Sequence, residues 1–159
     1  MATQNIIQYL ETQQYFADQR DGSTTSIGIE AMNRRQIETF LAGAAIAAND
    51  LVALDFSATG DGTIGITVVK ADSSSTDSIA VVGFALNAAA TGETVDVTIA
   101  GIHASANVAG AVAKGDRLSI SAVAGQADTY VNSDTVPVIA YALEDDTANV
   151  ASVFVIKQM

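Results

Sequence analysis

The amino-acid sequence predicts an all-β protein, a small β-barrel or sandwich of two sequence-related halves with an extended N-terminal arm. Three observations lead to this prediction: the choice of apolar residues, a series of short strand-like segments separated by turn residues, and an internal repeat. The chain has 159 residues, with no Cys, no Trp, one His and one Pro. This length suits one domain with room for an appendage, and it is enough to bury a core.

The apolar residues, 49% of the chain, are chiefly Ala, Val and Ile rather than Leu. Leu suits helices, whereas β-branched side chains lose rotamer freedom in helices and fit the pleated surface of a sheet. The composition therefore favours strands. No apolar run is long enough to cross a bilayer as a helix, and the N-terminus does not resemble a signal peptide. We therefore expect synthesis in the cytoplasm and no contact with a membrane.

The chain is strongly acidic, with 18 Asp and Glu against 7 Lys and Arg, a net charge of −11. So few cations cannot form a basic patch, which argues against direct binding of nucleic acid. The absence of Cys excludes disulfides, thiolate zinc sites and a cysteine nucleophile. An acidic exterior would keep particles soluble and mutually repelling.

Residues 1–33 form the predicted arm, because they are rich in Gln and contain a polar, turn-forming run at Asp21–Ser26. A short amphipathic helix, a disordered tail and an arm that orders against a neighbouring subunit all remain possible. The basic pair at the junction with the domain could bind a carboxylate on a partner, or could simply be solvated. The candidate partner-binding residues are Ile6, Ile7, Tyr9, Leu10, Tyr15, Phe16, Arg34 and Arg35.

Residues 34–159 form the predicted β domain. Some segments alternate between apolar and polar residues, which is typical of strands with one buried face. They are Ile64–Val68, Thr94–Ile99 and Arg117–Ser121. Other segments are apolar at nearly every position, so we expect both of their faces to be covered. They are Ile79–Leu86, Val136–Leu143 and Val150–Ile156. Pro137 is expected at a strand start or on an edge, because it cannot donate to a ladder.

An internal repeat runs through this domain, with halves at about 34–93 and 94–159. Two copies are too few for a solenoid, so we expect them to pack against each other as a pseudo-two-fold unit. The matching segments are Ala45–Val52 with Ala111–Leu118, Val81–Asn87 with Val138–Glu144, and Glu38–Gly43 with Val97–Gly101.

The repeated blocks resemble the small decoration, or cement, proteins of tailed bacteriophage heads. The resemblance covers about residues 36–159 and contains no catalytic signature. The first copy has Asn49 where Gly is usual, a change that a left-handed turn tolerates. The blocks that carry the resemblance are Ile46–Val52, Val81–Leu86, Gly92–Val97, Val112–Leu118 and Val138–Leu143.

This resemblance implies a structural virion protein with no enzymatic activity and no cofactor. Such a protein would bind the outer surface of a capsid, commonly as a homotrimer, and staple neighbouring subunits of the major capsid protein. The alternative is a receptor- or glycan-binding β module on a virion or cell surface. The composition gives that alternative little support, since the chain has no Trp and only four Tyr for stacking against sugars.

Two other features are expected to be structural. The single histidine, His103, has no evident nucleophile or acid partner, so we expect it at the surface or in an interface. The acidic turns could hold calcium, but they lack the spacing of a helical calcium loop, and we expect solvated carboxylates. Those turns contain Asp61, Asp72, Asp77 and Glu144–Asp146. The sequence thus predicts neither a catalytic nor a metal site.

Overall fold

The computed structural model of the chain describes residues 35–58, 63, 65–75, 80–131 and 136–156. The predicted arm lies outside these described residues. In the part that is described there are nine strands and no helix, which confirms the all-β prediction. The strands are β1 (Gln36–Ala42), β2 (Leu51–Leu54), β3 (Thr67–Lys70), β4 (Val81–Ala85), β5 (Thr94–Asn107), β6 (Arg117–Ile120), β7 (Ala127–Thr129), β8 (Ala140–Ala142) and β9 (Val150–Val155).

The first five strands close into a barrel. They are ordered β1-β3-β2-β4-β5, and β5 pairs back onto β1. All of these pairs are antiparallel except β1 with β3. Side chains alternate along each strand, so one set fills the inside of the barrel. This inner cluster consists of Phe40, Ala42, Ile46, Val52, Val68, Val82, Ala85, Ala89, Val95, Val97 and Ile99.

Strand β5 serves both halves of the domain. Its first part pairs with β1 and β4, and its second part pairs with β9. Gly101, with a φ of 92°, lies where one set of partners gives way to the other. The sheet continues from β9 to β8, β6 and β7. A parallel bridge between Val108 and Ala127 then connects the end of β5 to β7. The second half therefore repeats the cyclic strand order of the first.

The repeat extends to individual hydrogen bonds. The Asn49 amide donates to the Ala85 carbonyl at 2.8 Å, and the Gly115 amide donates to the Ala142 carbonyl at 2.9 Å. Asn49 and Gly115 both have positive φ, 71° and 91°. Asn49 thus adopts the left-handed conformation expected from its alignment with Gly115.

The third sequence match, of Glu38–Gly43 with Val97–Gly101, is wrong. The Gly43 amide donates to the Val68 carbonyl, and in the second half the Ala109 amide makes the corresponding bond to Ala127. Gly43 therefore corresponds to Ala109 rather than Gly101. Gly101 instead lies within β5, with a φ of 92°, so the Ala-Gly pattern occurs at two positions that are not equivalent.

Burial corrects part of the strand prediction. Every residue of β4 is buried, as expected for a strand covered on both faces. In β8 and β9, by contrast, buried residues alternate with exposed or half-buried ones, so within the chain only one face of these strands is covered. The predicted strand at Ile64–Val68 begins only at Thr67, and Ile66 is exposed.

A second apolar cluster explains why β4 is covered. It joins the outer side of β2 and β4 to the interior of the second half, including Leu118, Ile139 and Val153. The first-half members of this cluster are Leu51, Ala53, Ala71, Val81 and Phe84. The outer side of the first barrel is therefore packed beneath the second half of the same chain.

Candidate interaction surfaces

The structure describes only one of the predicted partner-binding residues. Arg35 is half-buried immediately before β1. The other residues of that set lie outside the described residues. They are Ile6, Ile7, Tyr9, Leu10, Tyr15, Phe16 and Arg34. Partner binding by the arm therefore stays a prediction.

Large apolar side chains lie exposed on the outer side of β8 and β9. Phe154 pairs across strands with Tyr141 on one side and with Ile102 on the other. The exposed fractions of the Tyr141 and Phe154 side chains are 43% and 41%. We call this surface the β8–β9 face; it consists of the exposed Tyr141, Leu143, Val150 and Phe154 and of the half-buried Ile102 of β5, which pairs with Phe154.

The β8–β9 face lies among strands that carry no carboxylate. Neither β8, β9 nor residues 101–107 of β5 contains Asp or Glu, in a chain that has 18 of them. A cation borders the face instead: Arg117 pairs with Tyr141, and its guanidinium lies 5.0 Å from the centre of the Tyr130 ring. Burying this face would therefore not require the desolvation of a strand carboxylate.

The corresponding surface of the first half is buried. Phe84 pairs with Leu51 as Tyr141 pairs with Arg117, so Phe84 and Tyr141 occupy equivalent positions. Phe84 is fully buried and stacks on the His103 ring, with 5.3 Å between ring centres. The same position is thus covered in one half and exposed in the other.

His103 is buried between the two halves, so its predicted place at a surface or interface with a partner is wrong. Its Nδ1 lies 3.2 Å from Thr98 Oγ1, and its Nε2 lies 3.2 Å from Asn49 Oδ1. Since a carboxamide oxygen only accepts, Nε2 carries the proton of the neutral ring and Nδ1 accepts from the Thr98 hydroxyl. Burial, together with the smaller effect of the positive charge of Arg35, lowers the pKa of His103 to about 4. His103 is therefore neutral near pH 7, and its hydrogen bond to Asn49 connects β5 to the turn before β2.

A buried carboxylate at Asp50 forms a second connection. Its Oδ2 accepts from the Ala47 amide at 2.8 Å and forms an ion pair with Lys70 Nζ at 2.8 Å. Its Oδ1 accepts from Asn107 Nδ2 at 2.9 Å. Asp50 thus ties its own turn to β3 and to the second part of β5. The repeated blocks align Asp50 with Asp116, but its connecting role was not predicted, because Asn107 and Lys70 are remote along the chain.

The acidic turn at Glu144–Asp146 caps backbone amides. Glu144 accepts from Ser152, Asp145 from Lys114 and Asp146 from Val112, at 2.8 to 2.9 Å. Asp61 and Asp77 lie outside the described residues. Within the ranges that the structure describes, no group of three or more His, Asp or Glu side chains could hold a metal ion. The same ranges contain no helix long and apolar enough to span a membrane.

Comparison with known proteins finds a relative in fold only. No protein-family model matches the chain, and neither does any curated protein sequence. A similar solved structure is the N base of the head fiber protein gp8.5 of bacteriophage phi29. It has a TM-score of 0.51 and 19% sequence identity, and the match covers 77% of this chain and 94% of that one. The resemblance to phage head proteins seen in the sequence is therefore confirmed at the level of the fold, which this chain shares with the base of a phage head fiber.

Proposed function

We propose that this chain is a structural, non-enzymatic component of a bacteriophage virion. It binds the outer surface of the capsid as a homotrimer and staples neighbouring subunits of the major capsid protein. The observation that carries the proposal is the fold shared with a phage head fiber base. The repeated sequence blocks, which independently resemble head decoration proteins, support it.

Stapling requires contact area on more than one capsid subunit. A stable interface buries about 800 Å² on each partner, and a clamp that spans a subunit boundary resists outward strain in a DNA-filled shell. In this proposal the domain supplies one contact, and the apolar residues of the arm supply another on an adjacent subunit. An arm of 30 residues reaches up to about 100 Å when fully extended, which is ample to cross onto an adjacent subunit.

The charge of the chain fits an outer coat. A net charge of −11 keeps decorated particles apart from one another. It also makes contact with packaged DNA unfavourable, so the capsid wall would separate the two. The protein would be made in the host cytoplasm and would join the head after assembly.

Co-sedimentation with purified heads of the encoding phage tests this function. The full chain and a variant lacking residues 1–30 are each mixed with expanded and unexpanded heads, with free protein alone as the control. We expect the full chain to pellet with expanded heads and the shortened chain to stay folded, trimeric and in the supernatant. Full-chain protein that never pellets with heads would refute the function, and unchanged binding of the shortened chain would refute the role of the arm.

A further inference from the structure

The two halves of the domain differ in one consequential way, which is what covers their outer surfaces. In the first half, the outer side of β2 and β4 is buried, and Phe84 lies at its centre with no exposed surface. In the second half, the equivalent Tyr141 is 43% exposed and is continued by Phe154 and Ile102. The surface around Phe84 is thus buried in the first half, whereas the equivalent surface around Tyr141 is exposed in the second half.

The covering in the first half shows what kind of partner such a surface accepts. Phe84 and Leu51 pack against side chains of the second half of the chain, in one continuous apolar cluster. The partner there is therefore another β unit of the same repeat. A second copy of the chain carries such a unit.

Charge favours the same partner. Two copies that each carry a net charge of −11 repel, so they associate best where neither presents carboxylates. The strands of the β8–β9 face have none, and the first carboxylate beyond β8, Glu144, already accepts from the Ser152 amide at 2.9 Å. Apolar and aromatic side chains next to one arginine also match the usual composition of the centre of an interface.

We propose that the β8–β9 face is the surface through which copies of this chain associate with one another. This assignment rests on the self-association included in the proposed function, and it names the surface responsible. It leaves the capsid to be bound by other parts of the protein.

Sedimentation velocity of the full chain over a wide concentration range tests the assignment. The test variants are Tyr141→Glu and Phe154→Glu, which introduce a carboxylate at the centre of the face. The matched control is Phe56→Glu, the same change at a Phe that is 57% exposed in the turn after β2. Far-ultraviolet circular dichroism and thermal melting establish that each variant is folded. Phe154→Ser, which removes apolar area without adding charge, gives the result if a Glu variant does not fold.

We expect the wild-type chain and Phe56→Glu to form the same oligomer. The folded face variants should dissociate, with a dissociation constant raised by at least about 30-fold, as expected for an aromatic residue central to an interface. A wild-type chain that stays monomeric at every concentration would overturn the assignment, and so would face variants that associate normally. In either case binding to heads, measured separately, still decides the capsid proposal. Variants that remain oligomeric but no longer bind heads would assign the face to the capsid instead.

Discussion

Gly83 shows at the scale of one residue how closely two strands of the barrel approach each other. A Cβ added at Gly83 would lie 2.0 Å from the Thr98 carbonyl oxygen and 2.8 Å from the carbonyl carbon, so β4 and β5 could not keep their distance. The equivalent residue of the second half is Ala140, which is accommodated in β8. The second half therefore leaves room for a Cβ at this position.

We predict that Gly83→Ala lowers the free energy of unfolding by about 2–4 kcal/mol, because the backbone of β5 must move. Urea denaturation measures this change. The control is Gly92→Ala, at a position with φ of 84° and no atom within 4 Å of the added Cβ. The added methyl group meets nothing there, so the only cost is that of an alanine in the left-handed conformation, about 1 kcal/mol of the free energy of unfolding. A cost at Gly83 no greater than that at Gly92 would contradict the close approach.

Burial of His103 makes stability depend on pH. Because the pKa of His103 falls from 6.5 in the unfolded chain to about 4 in the folded one, the unfolded state takes up a proton first as the pH falls. The stabilisation is fully present above about pH 6.5 and is lost as the pH falls towards 4. Its size over that window is about 3 kcal/mol.

The comparison that isolates this effect is between the wild-type chain and His103→Gln, which has no titrating ring. Carboxylates titrate in both proteins, so their contribution cancels in the difference. We predict that the wild-type chain loses more free energy of unfolding between pH 7 and pH 4.5 than His103→Gln does. Parallel stability curves over that range would show that the ring is not buried in the way described.

At the scale of elements, the repeated turn before β2 and β6 depends on one aspartate side chain in each copy. Asp50 accepts from the Ala47 amide at 2.8 Å, and Asp116 accepts from the Ala113 amide at 2.9 Å. This shared hydrogen bond is the physical reason for the Ala-x-x-Asp pattern seen in both sequence blocks. In the first copy the same carboxylate has gained Lys70 as a further partner.

We therefore predict unequal costs for the same substitution in the two turns. Asp116→Ala should lower the free energy of unfolding by about 1 kcal/mol, because it removes the turn hydrogen bond from Ala113 and a long one, at 3.5 Å, from the Thr129 hydroxyl. Asp50→Ala should cost about 2–3 kcal/mol, because it also leaves Asn107 and Lys70 without their acceptor. Urea denaturation of both variants measures the difference, and equal costs would be inconsistent with a connecting role for Asp50.

The strands show which structural features the sequence patterns could predict and which they could not. Alternation in Thr94–Ile99 correctly predicted that Val95, Val97 and Ile99 are buried, because period-two patterning is a local property. The length of β5 was not predicted, since Gly101 resembles a turn residue although the strand continues through it. The sequence around Phe84 and that around Tyr141 are nearly alike, and only the packing of one half on the other decides which ring is buried.

At the scale of the whole molecule, the sequence predicted the fold class but little of the surface. The all-β architecture followed from composition and repeats, which depend on many residues at once. The contacts of His103 could not be predicted in this way, because its partner Asn49 is 54 residues away along the chain. The sequence showed that β8 and β9 are apolar on both faces. It did not show that the chain itself covers only one of those faces and leaves the other exposed.

We propose that this chain coats the outside of a phage head, and electron cryomicroscopy of mixed particles would show such a coat. Purified full-length protein is added to expanded and unexpanded heads of the encoding phage, and both are imaged with undecorated heads as the reference. We expect additional density on the outer surface at three-fold positions of the expanded heads. Density confined to the tail, or heads indistinguishable from the reference, would contradict it.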